Sequence, residues 1–182
     1  MRVYRIENDV NHFQYFLPQQ SEDVFTLLMD CTPKASIWTS PSVYIYKPRH
    51  KAGDFYNFDW NTLITSPRAT TTLYSHLIEA GELLPLFYRD DQFTVLNVLQ
   101  CVDCLDHSLS EKQPGHYIKY VFQSDQLAQV SSTIFKIPQT RQSEVLVVEG
   151  LRAPEEEFRY TVEMAGLKGL VFTELWHDDL QG

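Results

Sequence analysis

The sequence predicts an α+β fold: a mainly antiparallel sheet with two principal helices, at about 67–80 and 154–165. Three observations predict it. Short β-branched or aromatic runs recur from Val3 to Trp176, two segments carry helix-start and helix-stop residues, and the two kinds do not alternate as βαβ units require. The 182 residues fit one domain, 1–182, of a size that buries roughly 70% of its unfolded surface without disulfide or metal staples. A content of 43% hydrophobic and 21% charged residues belongs to a globular chain. Eleven Phe, ten Tyr and three Trp suit either a sheet-rich core or an adhesive binding face.

Taken in order, Val3–Ile6 and Val43–Tyr46 read as strands, and Lys47–Gly53 as a loop. In the first helix Ser66 is the cap and Pro67 the first helical residue, where a missing N–H costs nothing. Ala69, Leu73 and Leu77, flanked by Tyr74 and Ile78, make its apolar stripe, and Gly81 is expected to end it in a left-handed conformation. Thr70, Thr71 and Thr72 are weak helix formers, so this helix relies on tertiary packing. Leu83–Tyr88 and Phe93–Leu99 flank a hairpin turn at Arg89-Asp90-Asp91-Gln92. Ser108–Gly115 reads as loop, Tyr117–Phe122 and Ile134–Ile137 as strands, Gln139–Ser143 as loop, and Val145–Val148 as strand. The second helix is expected to start at Pro154, with Glu155, Glu156 and Glu157 where the helix dipole favours negative charge. Phe158, Val162 and Ala165 form its buried stripe, Gly166 stops it, and Leu167 folds back as the apolar contact of the cap. A last strand, Leu170–Trp176, follows. No internal repeat is present.

Charge narrows the partner class. Fifteen basic against 24 acidic residues leave a net −9, a field that repels phosphate backbones and anionic lipid. Nucleic acid and membrane are therefore poor expectations, whereas a basic protein surface would be drawn in faster. The N-terminal Met1-Arg2-Val3-Tyr4-Arg5-Ile6 lacks the apolar core of a signal peptide, and no apolar run reaches the ~18 residues of a membrane span. A cytoplasmic location is expected. Cys31, Cys101 and Cys104 are too few for a secreted disulfide scaffold.

Candidate chemistry concentrates in Cys101-Val102-Asp103-Cys104-Leu105-Asp106-His107. Two thiols and an imidazole, with His116 as a fourth ligand, have zinc-binding residue types, but a structural zinc site shows two ligand pairs where this chain shows one. A thioredoxin-like motif would open a helix after a parallel strand. The alternative makes Cys101 and Cys104 small buried hydrophobes, and Asp103 and Asp106 turn caps. A metal-dependent or acid–base hydrolase would draw on Asp103, Asp106, His107 and His116. The sequence has no nucleophile elbow, no metalloprotease helix and no phosphate-binding glycine loop, so no enzyme and no cofactor is expected. The other candidate is Asp54-Phe55-Tyr56-Asn57-Phe58-Asp59-Trp60, which as a strand places Tyr56, Phe58 and Trp60 on one face. That mixture of aromatics and acids resembles a binding hot spot, with core as the competing assignment. Asp54, Tyr56, Asp59, Trp60 and the hairpin acids Asp90 and Asp91 are the candidate partner-binding residues.

Several short segments occur in a characteristic order: Leu96-Asn97-Val98, Val102-Asp103-Cys104-Leu105-Asp106, Ile134-Phe135-Lys136, Phe158, Gly166-Leu167-Lys168-Gly169-Leu170, Phe172 and Leu175-Trp176. In this the chain resembles a bacterial immunity-protein family of polymorphic toxin systems, formerly a domain of unknown function and typified by a myxobacterial member. The likeness runs from about Leu83 to Trp176 and extends weakly to Val3–Ile6, Asp54-Phe55 and the helix after Ser66. The part from about 66 to 176 thus matches better than residues 1–65. The chain departs from the family in having Arg152-Ala153-Pro154 where a Ser or Asp cap usually precedes the second helix. The resemblance implies an immunity protein that binds a cognate antibacterial toxin and blocks it; an adaptor or structural binding domain without a toxin partner is the further alternative. The resemblance carries over no catalytic residues.

Overall fold

A computed structural model of the chain describes residues 1–19, 28, 30–58 and 62–180. Its sheets are antiparallel and strand residues outnumber helical ones, the α+β architecture that the sequence predicts. One four-stranded sheet runs β10-β11-β1-β12, built from Ile134–Phe135, Leu146–Glu149, Arg2–Asn8 and Leu170–His177. The other runs β4-β5-β7-β6, from Phe55–Tyr56, Leu63–Thr65, Asp91–Val98 and Gly81–Tyr88. Two-stranded ribbons are formed by β2 (Tyr15–Pro18) with β3 (Val43–Tyr46), and by β8 (Glu111–Gln113) with β9 (His116–Lys119). Among the described residues the α-helices are α1 (Pro67–Thr72), α2 (Tyr74–Ala80), α3 (Ser124–Leu127) and α4 (Phe158–Met164).

Strand alternation explains how the layers stack. In β7, Leu96 and Val98 enter a central cluster, while Phe93 and Val95 enter a second cluster on the opposite face. The central cluster is fed by both sheets, through Ile6 and Val147 on one side and Phe55 and Leu63 on the other. It is filled by Leu73 and Leu77 of the first helical segment and by Phe158 and Val162 of α4. The far face of the β1 sheet packs Val3, Leu146 and Trp176 against Leu105, Phe122 and Leu127. Because both sheets bury residues in one shared cluster, neither can lose its partner without exposing core.

Helix ends follow the sequence in part. Ser66 Oγ accepts from Ala69 N at 3.2 Å and Pro67 opens α1, as expected. The expected single helix is bent at Leu73 (φ −101°, ψ 11°). Thr71 and Thr72 donate back to Pro67 O and Arg68 O just before the bend, bonds that distort helices. Tyr74 and Ile78 face outward, so the buried stripe is narrower than its apolar content. The left-handed stop expected at Gly81 is not found. Its backbone is extended and leads directly into β6, and glycine is required because a Cβ would lie 1.9 Å from Asn97 O. Gly166 does adopt the left-handed form (φ 62°). Gly166 N bonds Glu163 O and Leu167 N bonds Val162 O, each at 3.0 Å, with Leu167 buried in the core. The start of the second helix also differs: Pro154–Glu156 is a 3₁₀ turn, Glu157 is extended, and α4 begins at Phe158. Buried Glu157 instead accepts Gly150 N and Arg152 N on Oε1, a local task that competes with helix entry.

The β6–β7 turn is tighter than expected, with Arg89 at φ 54° and Asp91 already paired to Tyr88. β2, β5 and α3 lie outside the predicted elements, and β8 lies inside the expected 108–115 loop. The β6 edge is covered by residues 34–40. Glu82 accepts Lys34 N and Ala35 N, Trp38 Nε1 donates to Pro85 O at 2.8 Å, and Phe87 N donates to Ser40 Oγ. Pro85 is tolerated mid-strand because this is the sheet's outer strand.

Candidate binding surface

Asp54 was a candidate for partner contact, and the structure places it inside. It is 8% exposed, and its carboxylate accepts Ser66 Oγ at 3.3 Å, Arg68 Nη1 at 3.1 Å and Lys168 N at 2.9 Å. Asp54 N also donates to Lys168 O at 2.7 Å. One carboxylate therefore joins β4, the start of α1 and the turn between α4 and β12. With so many donors converging on it, the group is an internal strut and not a docking charge. The neighbouring seam is tied by Asn8, whose amide nitrogen, turned toward Phe55 O and Gly169 O, meets them at 2.7 and 2.8 Å.

Tyr56, another candidate, is also corrected to core. It stacks on Phe16 with ring centroids 4.8 Å apart and meets Phe93 edge-on at 5.2 Å. Burial raises its phenol pKa, opposed by a hydrogen bond from the Gly53 backbone and reinforced by the Asp54 and Asp91 carboxylates. Phe55 points the other way, into the central cluster, so the sheet is covered on both faces and β4 offers no free aromatic face. Asp59 and Trp60 lie outside the described residues. Asp90 and Asp91 are exposed at the tip of the β6–β7 hairpin, where the sequence put them.

An aromatic surface does exist, on the β2–β3 ribbon and away from the sequence-predicted site residues. In the β2–β3 ribbon Tyr15 opposes Tyr46, Phe16 opposes Ile45, and Leu17 opposes Tyr44. Cross-strand partners share a face, so Tyr15, Leu17, Tyr44 and Tyr46 point one way while Phe16 and Val43 fill the core. Tyr44 and Tyr46 are 43% and 44% exposed, and the Tyr15 and Tyr46 rings lie 5.2 Å apart. Tyr15 and Leu17 also line an open cavity of about 480 Å³ between the ribbon and the two sheets. Ile6, Leu63, Val145 and Leu170 supply apolar walls, and Glu7, Tyr56 and Asn57 supply polar ones. Asn57 Oδ1 is buried and accepts no hydrogen bond. Lys47 Nζ donates to Val10 O at 3.0 Å and stands over the Tyr15 ring, fixing one side. The alternating Val43-Tyr44-Ile45-Tyr46 was the available signal for this face; its partners on β2 required the register.

The hydrolase candidates do not converge. Asp106 Oδ1 accepts Ser108 N, Ser108 Oγ and Leu109 N, capping the following turn as the alternative reading held. Asp103 and His107 meet only through Gln139, whose Nε2 contacts both. His116 is exposed on β9. Cys104 is a buried core thiol, whose pKa burial pushes up to about 12, whereas Cys101 is exposed, contrary to its expected burial. Among the described residues no three His, Cys, Asp or Glu side chains come together as a metal-ligand group. None of their helices is long and apolar enough to cross a membrane.

No protein-family model matches this chain, and no curated protein matches it significantly.

Proposed function

We propose that this chain is an immunity protein that binds a cognate antibacterial toxin and neutralises it by occlusion, without turnover of its own. The tyrosine face of the β2–β3 ribbon and its adjoining cavity are the proposed docking surface. The observation that carries the reading is the alignment of Tyr15, Leu17, Tyr44 and Tyr46 on one outward face beside an open cavity. Rigid aromatics beside a pocket are the usual anchors of tight interfaces, whose total buried area is at least ~1,200 Å². The family resemblance of residues 66–176 supports the same function. The net charge of −9 and the exposed Asp90-Asp91 tip suit a basic partner surface, which electrostatics would bring in faster.

The test is co-expression with the product of the neighbouring gene, which this reading expects to carry a toxin domain. The chain should restore growth and co-purify with that domain. Failure of both would end the immunity reading. A Tyr44→Ala/Tyr46→Ala variant that folds and protects as well as the wild type would instead move the docking surface elsewhere.

A further inference from the structure

The acidic charge of the chain is unevenly spread. Residues 10–19 and 31–53 contain no Asp or Glu and four of the fifteen Lys and Arg, so all 24 acids lie elsewhere. These two stretches hold the β2–β3 ribbon and the loop that follows it, Lys47-Pro48-Arg49-His50-Lys51. Lys34 is paired with Asp30 at 2.7 Å, which leaves the loop cations as the ribbon's own charge. Arg49 and Lys51 are exposed, and neither meets a carboxylate among the described residues. Asp9, just before the first stretch, is engaged by His12 at 2.9 Å.

The loop is fixed in shape. Lys47 is left-handed (φ 51°), and His50 N donates to Lys47 O at 2.9 Å to close a turn. Lys51 N donates to His12 O at 3.2 Å, and Gln14 N returns to Lys51 O at 2.9 Å. Gln14 Nε2 adds a bond to Pro48 O at 3.0 Å. Lys47 Nζ stands over the Tyr15 ring, whose partner across the ribbon is Tyr46, so the cationic loop borders the tyrosine face directly. A loop already held by such bonds has little backbone freedom left to lose on binding.

We propose that this loop and the tyrosine face beside it receive an acidic segment of the partner protein. Carboxylates of that segment pair with Arg49 and Lys51, Arg49 in the two-pronged geometry a guanidinium favours, and accept the Tyr46 hydroxyl. That the partner is a toxin rests on the immunity reading; that its contacting segment is acidic rests on the loop alone. The hairpin tip Asp90-Asp91 carries the opposite sign, so a partner with one basic and one acidic patch docks in one orientation. A nucleic-acid strand fits worse, because the acids outside these stretches repel a continuous polyanion.

The test titrates a hexaglutamate peptide and, separately, decathymidylate into the full chain at low salt, following backbone amides by NMR. Hexaglutamate should shift residues 12–15 and 44–51, and its affinity should fall about tenfold in Arg49→Glu/Lys51→Glu. Both side chains are exposed, so that variant should keep the wild-type denaturation midpoint. Hexaglutamate that shifts no loop residue, or that binds the variant equally well, overturns the proposal. Decathymidylate bound more tightly than hexaglutamate also overturns it and gives the face to nucleic acid. A second arm treats the complex with the neighbouring gene product with a carbodiimide, which joins amines to carboxylates at zero length. Lys51 should be linked to an Asp or Glu of the partner. A captured partner with no link at Lys47 or Lys51, held fully by the variant, overturns the proposal and leaves the immunity reading standing. Hexaglutamate bound at the loop without capture of the neighbouring gene product supports the acidic segment and ends the immunity reading instead.

Discussion

Asp54 and Asp91 flank strands of the same sheet, the first just before β4 and the second opening β7. Asp54 is closed off by a hydroxyl and a guanidinium from the start of α1 and by a backbone N–H from the turn before β12. Asp91 stands with Asp90 in solvent at a hairpin tip. Residue type does not separate a strut from a docking charge. The donors that the fold aims at each carboxylate do, and they decide whether mutation is felt as stability or as association.

That contrast can be broken in several ways. The largest effect is expected from Asp54→Ala, which strands the partners of a buried charged network and should cost about 3 kcal/mol in chemical denaturation. A loss below about 0.5 kcal/mol would return Asp54 to the surface class. Next, Tyr44→Ala/Tyr46→Ala should weaken toxin capture by about 2 kcal/mol, or roughly 30-fold, in a titration calorimeter. Its denaturation midpoint should scarcely move.

Lys136 extends the comparison to a buried cation. Burial lowers its folded pKa from 10.5 to about 8. Between those values the unfolded chain holds more protons, so this group holds stability down below pH 8 and releases it as pH rises toward 10.5. Stability measured from pH 8 to 10 should therefore climb less in Lys136→Met than in the wild type, by roughly 2 kcal/mol across the window. An identical slope would show that the lysine titrates normally. The smallest effect belongs to the hairpin tip. Asp90→Lys/Asp91→Lys should change stability by less than about 0.5 kcal/mol, yet slow association with a basic toxin several-fold and flatten its salt dependence in stopped flow.

Local grammar made part of this molecule readable. Ser66-Pro67 and Gly166-Leu167 act as caps because their chemistry depends on neighbours within a turn. The β6–β7 hairpin and Asp106 were readable for the same reason. Long-range contacts were not. Gly81 is glycine because of a carbonyl on β7, and Asp54 is buried because Arg68 and Lys168 arrive from elsewhere in the chain. The tyrosine face depends on a cross-strand register.

The cover that residues 34–40 lay over β6 has a consequence for life at high concentration. The outer rim of a sheet is a template onto which any extended chain can zip, its own copies included. Here Trp38 and Ser40 occupy the sites such a chain would use, and Pro85 offers no amide to it. Peeling that clip away would bare the unpaired groups of β6 and leave a rim on which extended chains can add.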